Sequence, residues 1–402
     1  MLETFLVTLF WTCAGLVAFI YAGYPLLLSL LARWLPQGSR AERGKLPRVS
    51  LIISAFNEQS VMEEKLFNSM KLDYPPGQLE VLVVSDCSDD RTDDIVRSFS
   101  SAGVRLVRQS ERLGKSAGLN LGVPLASGEI IVFSDANAIY QLDALHNLVR
   151  HFSDPRIGYV VGNACYTKDA GLTPSAESEG LYWKLEGWLK RNESRFGSVV
   201  GGDGAIYAIR RELFASLRAT DINDLLNPLQ IIARGYRGVY ETSAVCYEEA
   251  GDSFEKEFRR KVRIVSRSLD AVRRAPSVLL PWTQFRHWFC LVSHKLLRWF
   301  ASVFLFTMFV SSLLLWQFWF YRLATILQLS FYVLAVAAWA IGSRRSAAKL
   351  LYLPYYFCLV NLASLIGIVK FLGGSLSPTW QTVRQENPTT RDQSMHTAGR
   401  KP

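Results

Sequence analysis

Long apolar runs bracket a central stretch in which short apolar segments alternate with polar ones. Thr4–Ala32, Trp299–Tyr321, Leu323–Ser343 and Leu350–Val369 carry no charge at all. Each reaches the roughly 20 residues a helix needs to cross a bilayer core. Between the first and second runs, Val49–Phe56, Leu79–Asp86, Val104–Arg108 and Ile130–Ser134 are short and rich in β-branched residues. Helical patterns near Glu58–Lys71, Thr92–Ser101 and Lys115–Ala126 separate them. That alternation predicts a mostly parallel sheet with helices on both faces. An amphipathic helix follows at Glu177–Arg195, with Leu181, Leu185, Trp188 and Leu189 on one side, and a densely basic one at Ser253–Arg274. No repeat is visible.

The pattern divides the chain into a first transmembrane helix (1–34), a soluble domain (35–280), a further helical segment (281–298), transmembrane helices two to four (299–373) and a polar tail (374–402) expected to be disordered. In the segment at 281–298, Trp282, Phe285, Trp288 and Phe289 recur at helical spacing among Arg286, His287, His294 and Lys295. Two readings fit it equally: a helix lying in the membrane plane, or the inner end of the second span. The first run has no basic leader and no small-residue cleavage site before Arg33, so it reads as a retained span. Arg33, Arg40, Arg43, Lys45 and Arg48 follow the first run, Lys295 and Arg298 precede the second, and Arg344, Arg345 and Lys349 separate the third from the fourth. Only Arg322 lies between the second and third. The bias predicts a cytoplasmic soluble domain, with both termini outside, in a cell inner membrane or plasma membrane.

Half of the 402 residues are hydrophobic, 20% are charged, and the formal net charge is +10. This excludes a disordered chain and a small disulfide scaffold. Six scattered cysteines without CxxC spacing suit a reducing compartment and argue against structural zinc. The basic excess lies next to the apolar runs, where juxtamembrane clusters meet anionic lipid, and no nucleic-acid module accompanies it. The runs hold almost no ionisable residues, which argues against a transporter.

Ligands of an α/β sheet bind beyond the carboxyl ends of its strands. The first strand runs into Ser54-Ala55-Phe56-Asn57-Glu58, without the GxGxxG of a dinucleotide site. The second ends in Ser85-Asp86-Cys87-Ser88-Asp89-Asp90 and the fourth in Ser134-Asp135-Ala136-Asn137. Asp89 and Asp90 read as helix caps. Asp135 and Asn137, at i and i+2, put two oxygen ligands together, as a hard divalent cation on a diphosphate requires. Lys115, behind Gly114 at a helix start, is placed to meet phosphate oxygens.

The assembled pattern resembles the family 2 glycosyltransferases over about 46–300, in the membrane-embedded branch of hyaluronan, chitin-oligosaccharide and poly-N-acetylglucosamine synthases. The resemblance implies a GT-A-like, Rossmann-type mixed α/β sheet domain with about four transmembrane helices. It implies donor-binding roles for Asn57, Glu58, Asp86, on uracil, and Lys115, on the diphosphate, with Asp135 and Asn137 at the DxD position for Mg²⁺ or Mn²⁺. Gly201-Gly202-Asp203-Gly204-Ala205-Ile206-Tyr207 and Arg210 look like the acceptor-side loop, with Asp203 in the substrate-binding set. Asp224 is similar to the catalytic acid before a helix, with Asp221 as a rival, and Ala244, Tyr247 and Glu248 match the strand that follows. Arg260-Lys261-Val262-Arg263-Ile264 occupies the QxxRW position, with Arg260 and Arg263 toward the diphosphate, but lacks its Gln and Trp. The DxD likewise reads Asp-Ala-Asn.

The resemblance thus implies an inverting glycosyltransferase that takes a nucleotide-sugar, UDP-linked, to a glycan or lipid-linked acceptor at the bilayer in polysaccharide synthesis. The altered QxxRW leaves open single-sugar transfer to a lipid carrier. A non-catalytic nucleotide-binding subunit of a secretion complex, with partner subunits for export, is the reading from another class. Intact Asp86, Asp135 and Asp224 argue against it.

Overall fold

A computed structural model describes residues 1–35, 46–167, 174–249, 254–282, 284–341 and 352–376. The loop at 343–349 and the tail after 376 lie outside the described residues, as do Arg40, Arg43 and Lys45. The chain opens on α1 (Leu2–Ala18) and α2 (Tyr24–Arg33), joined through a π-helical turn at Phe19–Gly23. The soluble part then runs β1 (Val49–Ala55), α3 (Met62–Met70), β2 (Leu79–Ser85), α4 (Thr92–Ser98), β3 (Val104–Arg108), α5 (Lys115–Leu125) and β4 (Ile130–Asp135). It continues with β5 (Ile139–Tyr140), α6 (Ala144–Val149), β6 (Ile157–Thr167), α7 (Pro174–Phe196), β7 (Tyr207–Arg210), α8 (Asn223–Ala233), β8 (Arg237–Glu249) and α9 (Phe254–Arg274). After these come α10 (Phe285–Cys290), a π-helical turn at Leu291–Leu296, α11 (Leu297–Trp299), α12 (Ala301–Leu314), α13 (Trp319–Ile341) and α14 (Tyr352–Leu372).

The eight strands form one sheet in the order β3-β2-β1-β4-β7-β6-β8-β5. β3, β2, β1 and β4 are parallel, because a helix carries the chain back after each of the first three. Beyond β4 the sheet is mixed, as the family resemblance implies, whereas the strand–helix alternation of the first half alone predicts a mostly parallel one. β7 runs antiparallel to both β4 and β6, and β5 to β8. The chain leaves β4 through Ala136–Ala138, far too short for a crossover helix, so the regular winding stops there.

Helices cover both faces, so the central strands are apolar throughout instead of alternating. Leu51, Ile53, Val81, Val83 and Val132 pack on one side with Met62, Leu66 and Leu145. Ile52, Leu82, Val84, Ile131 and Phe133 pack on the other with Leu119, Leu226 and Leu229. That second core continues without a break into Tyr24 and Leu28 of α2 and Leu291 beyond α10. The first apolar helix is thereby built into the domain it precedes.

Among the described residues, three helices are long and apolar enough to cross a membrane: Leu2–Arg33, Trp319–Ile341 and Leu353–Leu372. A fourth arises if Phe285–Trp299 and Ala301–Leu314, bent by 56° at Phe300, act as one. The expected run Trp299–Tyr321 therefore does not form one straight helix; α12 stops at Leu314, and Tyr321 already belongs to α13. The helix at 285–299 buries His287, Cys290, Leu291 and His294 against the domain and leaves Trp282 and Phe285, at its start, exposed. The six cysteines are free.

Candidate functional site

At the ends of β1 and β2 the backbone turns through left-handed conformations at Asn57 (φ 53°) and Cys87 (φ 59°). Asparagine enters this region more readily than most residues. The amide of Asn57 is spent on Asp89: its Nδ2 donates to Oδ1 (2.6 Å) and its Oδ1 accepts from the Asp89 N–H (3.0 Å). The Glu58 N–H donates to Thr92 Oγ1 at 2.8 Å, and Asp90 accepts from the N–H groups of Gln59 and Thr92. Asn57, Asp89 and Asp90 thus build the rim of the site, and Asp89 is a bridge between two strand ends instead of a helix cap.

Asp86 is buried deeper. Its Oδ1 accepts from Gln109 Nε2 (2.7 Å) and from the N–H groups of Leu113 and Gly114 (2.9 Å each). Its Oδ2 is buried without a donor. Burial raises the Asp86 carboxyl above the ordinary range, against the backbone bonds from Gly114 and Leu113 and the charge of Arg112. Arg112 itself stacks 3.7 Å over the Phe56 ring. The bonds from Asp86 set the start of α5, where Lys115 is the first residue. Gly118 and Gly122 let that helix lie close on β2, since a Cβ at either would come within 2.7 Å of Val84.

Lys115 Nζ reaches across to Asp135 Oδ1 at 2.5 Å. Beside them runs the loop Gly201–Gly204, tied to α8 by the Gly202 N–H donating to the Asp224 carbonyl (2.5 Å). The space where a Gly204 Cβ would stand is faced by Asp135 Oδ2 (3.4 Å), Lys115 Nζ (3.5 Å) and Asp224 Oδ2 (3.6 Å). Asp224 is the second residue of α8, and its Oδ1 is buried without a donor. Burial raises its carboxyl above the usual range, Asp203 and Asp135 add to that, and Lys115 opposes it. Asn223 and Asn227 donate to Tyr207 Oη (2.8 and 3.1 Å), which fixes the start of α8 on β7. Two acids and a lysine, drawn from a strand end, a helix start and a second helix start, therefore converge on one glycine.

Residues 50–218 match the family described as Glycosyl transferase family 2. This chain carries a family 2 glycosyltransferase domain. It is 29% identical over 243 residues to Probable glycosyltransferase YdaM of Bacillus subtilis, covering 56% of each chain. To Poly-beta-1,6-N-acetyl-D-glucosamine synthase of Staphylococcus aureus it is 24% identical over 225 residues, covering 54% of each. The chain spans about half the length of the curated relatives it matches. Among solved structures, the mannosyltransferase PcManGT of Pyrobaculum calidifontis, in complex with GDP-Man and Mn²⁺, superposes with a TM-score of 0.63 at 24% identity. The match covers 91% of this chain and 99% of that one, so the likeness takes in apolar helices as well as the GT-A-like sheet domain.

Within the glycosyltransferase domain, the sequence-derived residues divide. Asp135, Asp224 and Lys115 meet at Gly204, and Asn137 lies two residues beyond Asp135, half-buried in the turn before β5. Arg263 is half-buried on α9; burial and Arg260 lower its pKa while Asp135 and Asp224 oppose this, which places it within electrostatic reach of both acids. Arg260 Nε donates to Glu257 Oε2 at 2.7 Å on its own helix, and its charge is felt at Glu248. Asp203 pairs with Lys190 at 3.0 Å. Arg210 does not belong to the acceptor-side loop at all. It pairs in register with Ile130 at the opposite end of the sheet and donates to the carbonyls of Phe152, Asp154 and Ile157. Asp221 is not a helix cap, since Ile222 holds that position, and its carboxylate is taken by Arg274 and the Arg218 N–H.

Two residues of the glycosyltransferase domain, Lys65 and Lys190, went unread in the sequence, and Glu248 was read only as part of the strand after Asp224. Glu248, the last residue but one of β8, has its carboxyl pushed up to about 8 by burial, with Asp135 and Asp203 adding and Arg260 and Lys115 opposing. Lys65 of α3 is fully buried; its Nζ donates to Ser134 Oγ (2.8 Å) and the Ala138 carbonyl, 4.1 Å over the Tyr140 ring. It clamps the turn that carries Asp135 and Asn137, and burial pulls its pKa down to about 7. Its signal was a lysine on the buried stripe Met62, Lys65, Leu66, Ser69. Lys190 lies on the amphipathic helix read only for its apolar side, Leu181, Leu185, Trp188 and Leu189.

Proposed function

We propose that this chain is an inverting glycosyltransferase that moves a sugar from a nucleotide-sugar to a membrane-borne glycan or lipid-linked acceptor. The observation that carries the proposal is Asp224: a carboxylate whose Oδ2 faces the same gap as Asp135 and Lys115 and whose Oδ1 is buried without a donor. The acceptor hydroxyl loses its proton to Asp224 as its oxygen bonds the anomeric carbon. The bond from that carbon to the diphosphate breaks on the opposite face, and the electron pair leaves with the nucleotide. Lys115 and Arg263 attract the departing diphosphate. Asp86 Oδ2, a buried acceptor in want of a donor, suits an N–H on the edge of a nucleobase, which both uracil and guanine present.

The residues present fit a divalent cation shared with the substrate. Among the described residues no three His, Cys, Asp or Glu side chains form a metal cage, so a protein-only site is absent there. Asp135, with Oδ2 turned to the open gap, and the Asn137 amide oxygen would hold Mg²⁺ or Mn²⁺ together with diphosphate oxygens, the usual arrangement for Mg²⁺. Such an ion, when bound, supplies charge compensation for the leaving group. PcManGT, of the same fold, was solved with GDP-Man and Mn²⁺.

The apolar helices support an integral membrane protein, with Trp11, Phe306, Leu327, Val336 and Trp339 exposed on them. The basic flanks support a cytoplasmic catalytic domain. Loss of Gln and Trp from the QxxRW position favours single transfer over processive synthesis as the second reading. Purified chain incubated with a panel of UDP- and GDP-sugars, scored for nucleotide release and product size, tests the proposal. Release from one donor with an elongated acceptor supports it; nucleotide binding without turnover of any donor would make the chain a non-catalytic subunit.

A further inference from the structure

On α7, Glu186, Lys190 and Glu193 stand at i, i+4 and i+7, so they share one helix face, and all three are buried. Charges removed from water persist only when well paired, and these are paired in two directions. Toward the apolar helices, Glu186 accepts from Lys295 Nζ (2.6 Å) and Arg298 Nη1 (3.2 Å). Glu193 Oε1 accepts from Tyr24 Oη at 2.8 Å. His294 sits between the two carboxylates, Nδ1 2.5 Å from Glu193 and Nε2 3.2 Å from Glu186. Tyr24 directly follows one π-helical turn, and His294 and Lys295 lie within the other. Such turns insert a residue, re-aim the side chains beside it and gather at functional sites.

Toward the glycosyltransferase site, Lys190 Nζ pairs with Asp203 Oδ2 at 3.0 Å and lies within 6 Å of the Trp183 and Tyr240 rings (5.6 and 5.8 Å). Burial works against the Lys190 charge, and Asp203 and Glu186 outweigh it. Glu193 Oε2 also accepts from the Val200 N–H at 3.3 Å. Val200 precedes the Gly201–Gly204 loop and Asp203 lies within it; the loop touches Asp224 through Gly202 and borders the gap through Gly204.

We infer that α7 is a rigid bar through which the apolar helices set the acceptor-side loop, with Lys190 as the positioning residue at its working end. The inference rests on the glycosyltransferase reading only in taking that loop to guide the acceptor. It deepens that reading, because a loop indexed to the apolar helices is suited to an acceptor presented at the bilayer.

The test uses the full chain in lipid nanodiscs, with Lys190→Met, Lys190→Arg, the double variant Lys190→Met/Asp203→Asn, and the distant His294→Gln. Four quantities are measured: UDP and GDP affinity with Mn²⁺, donor hydrolysis by water, sugar transfer into lipids extracted from the host membrane, and amide hydrogen exchange over 200–206. Lys190→Met should leave nucleotide affinity unchanged and lower transfer about 100-fold, the scale of a small misplacement, while hydrolysis falls less. Exchange over 200–206 should quicken in Lys190→Met and in His294→Gln, and Lys190→Arg should restore most of the transfer. The double variant leaves no unpaired charge, so it should fold yet still transfer slowly. Normal transfer and exchange in the double variant would overturn the inference, as would equal losses of nucleotide binding and transfer in Lys190→Met. If the unaltered chain turns over no donor, the glycosyltransferase reading fails instead, and the exchange data still decide the coupling.

Discussion

Arg274, at the end of α9, forms an ion pair with Asp221, whose carboxylate is completely buried. The same oxygen, Oδ2, accepts the Arg218 N–H at 2.6 Å, while Oδ1 is buried without a donor. Asp224, three residues on, also has a buried Oδ1 without a donor, but its Oδ2 faces the gap at Gly204. Two aspartates flank one helix start, and their surroundings assign them different tasks: one is paired with an arginine in the packing, the other faces the gap and can take a proton there.

Asp224→Asn should therefore lower turnover by about 10²–10⁴, the usual contribution of a general base, with nucleotide affinity little changed. In the unaltered chain, burial holds the Asp224 carboxyl above the usual range. The acidic limb of kcat/KM against pH should then have its midpoint above the ~4 of an ordinary aspartate. Asp221→Asn should instead cost stability. Leaving a charge unpaired costs roughly 3–5 kcal/mol when fully buried, and the lower figure applies because Arg274 keeps 20% of its side chain exposed. A thermal unfolding series with parallel rate measurements separates the two. Normal turnover in Asp224→Asn, with loss in Asp221→Asn, would reverse the assignment.

A second expectation concerns the cation. Asp135 is the only charged member of the Asp135/Asn137 pair, so Asp135→Ala should abolish transfer. Asn137→Asp should keep activity and reduce the Mn²⁺ concentration needed for half-maximal rate. Unchanged activity in excess EDTA would mean that Lys115 and Arg263 neutralise the diphosphate alone.

The first half of the sheet was legible because each strand from β1 to β4 is a short apolar run ending in polar residues, with a helix between runs. Asp86, Lys115 and Asp135 could be found on that basis, since chemistry collects where such strands end. The mixed half was not legible: β6, β7 and β8 are separated by long excursions, and their pairing depends on contacts far apart in sequence. Arg210 shows the consequence. It lies only six residues beyond Gly204, yet β7 carries it to the far end of the sheet. Lys65 and Lys190 were hidden for another reason: a lysine in an amphipathic helix reads as solvated until its buried partners, Ser134 and Asp203, are known.

Glu248 offers a stability test through pH. Its carboxyl titrates at about 8 in the folded chain, against ~4.3 when unfolded. The folded state then binds the extra proton between those values, so this group makes stability fall as pH rises from about 4.3 toward 8. Glu248→Gln cannot ionise and should remove that slope. Melting curves of the detergent-solubilised chain from pH 5 to 8.5 should show the variant gaining on the unaltered protein as pH increases. A constant difference across the range would mean that Glu248 is ionised throughout.

The last expectation separates the gap from the fold. A methyl group at Gly204 would stand 3.4 Å from Asp135 Oδ2, 3.5 Å from Lys115 Nζ and 3.6 Å from Asp224 Oδ2, all ordinary contacts, and the backbone there is not left-handed. Gly204→Ala should accordingly fold with unchanged thermal stability. It would, however, fill the one space that all three charged groups face, so sugar transfer should be lost while UDP or GDP still binds through the Asp86 end of the site. Gly238→Ala is the contrasting control, because its methyl would come within 2.0 Å of the buried Tyr159 ring and should disrupt folding itself. Full transfer activity in Gly204→Ala would show that the reacting sugar lies elsewhere, and the assignment of Asp224 as the base would fall with it.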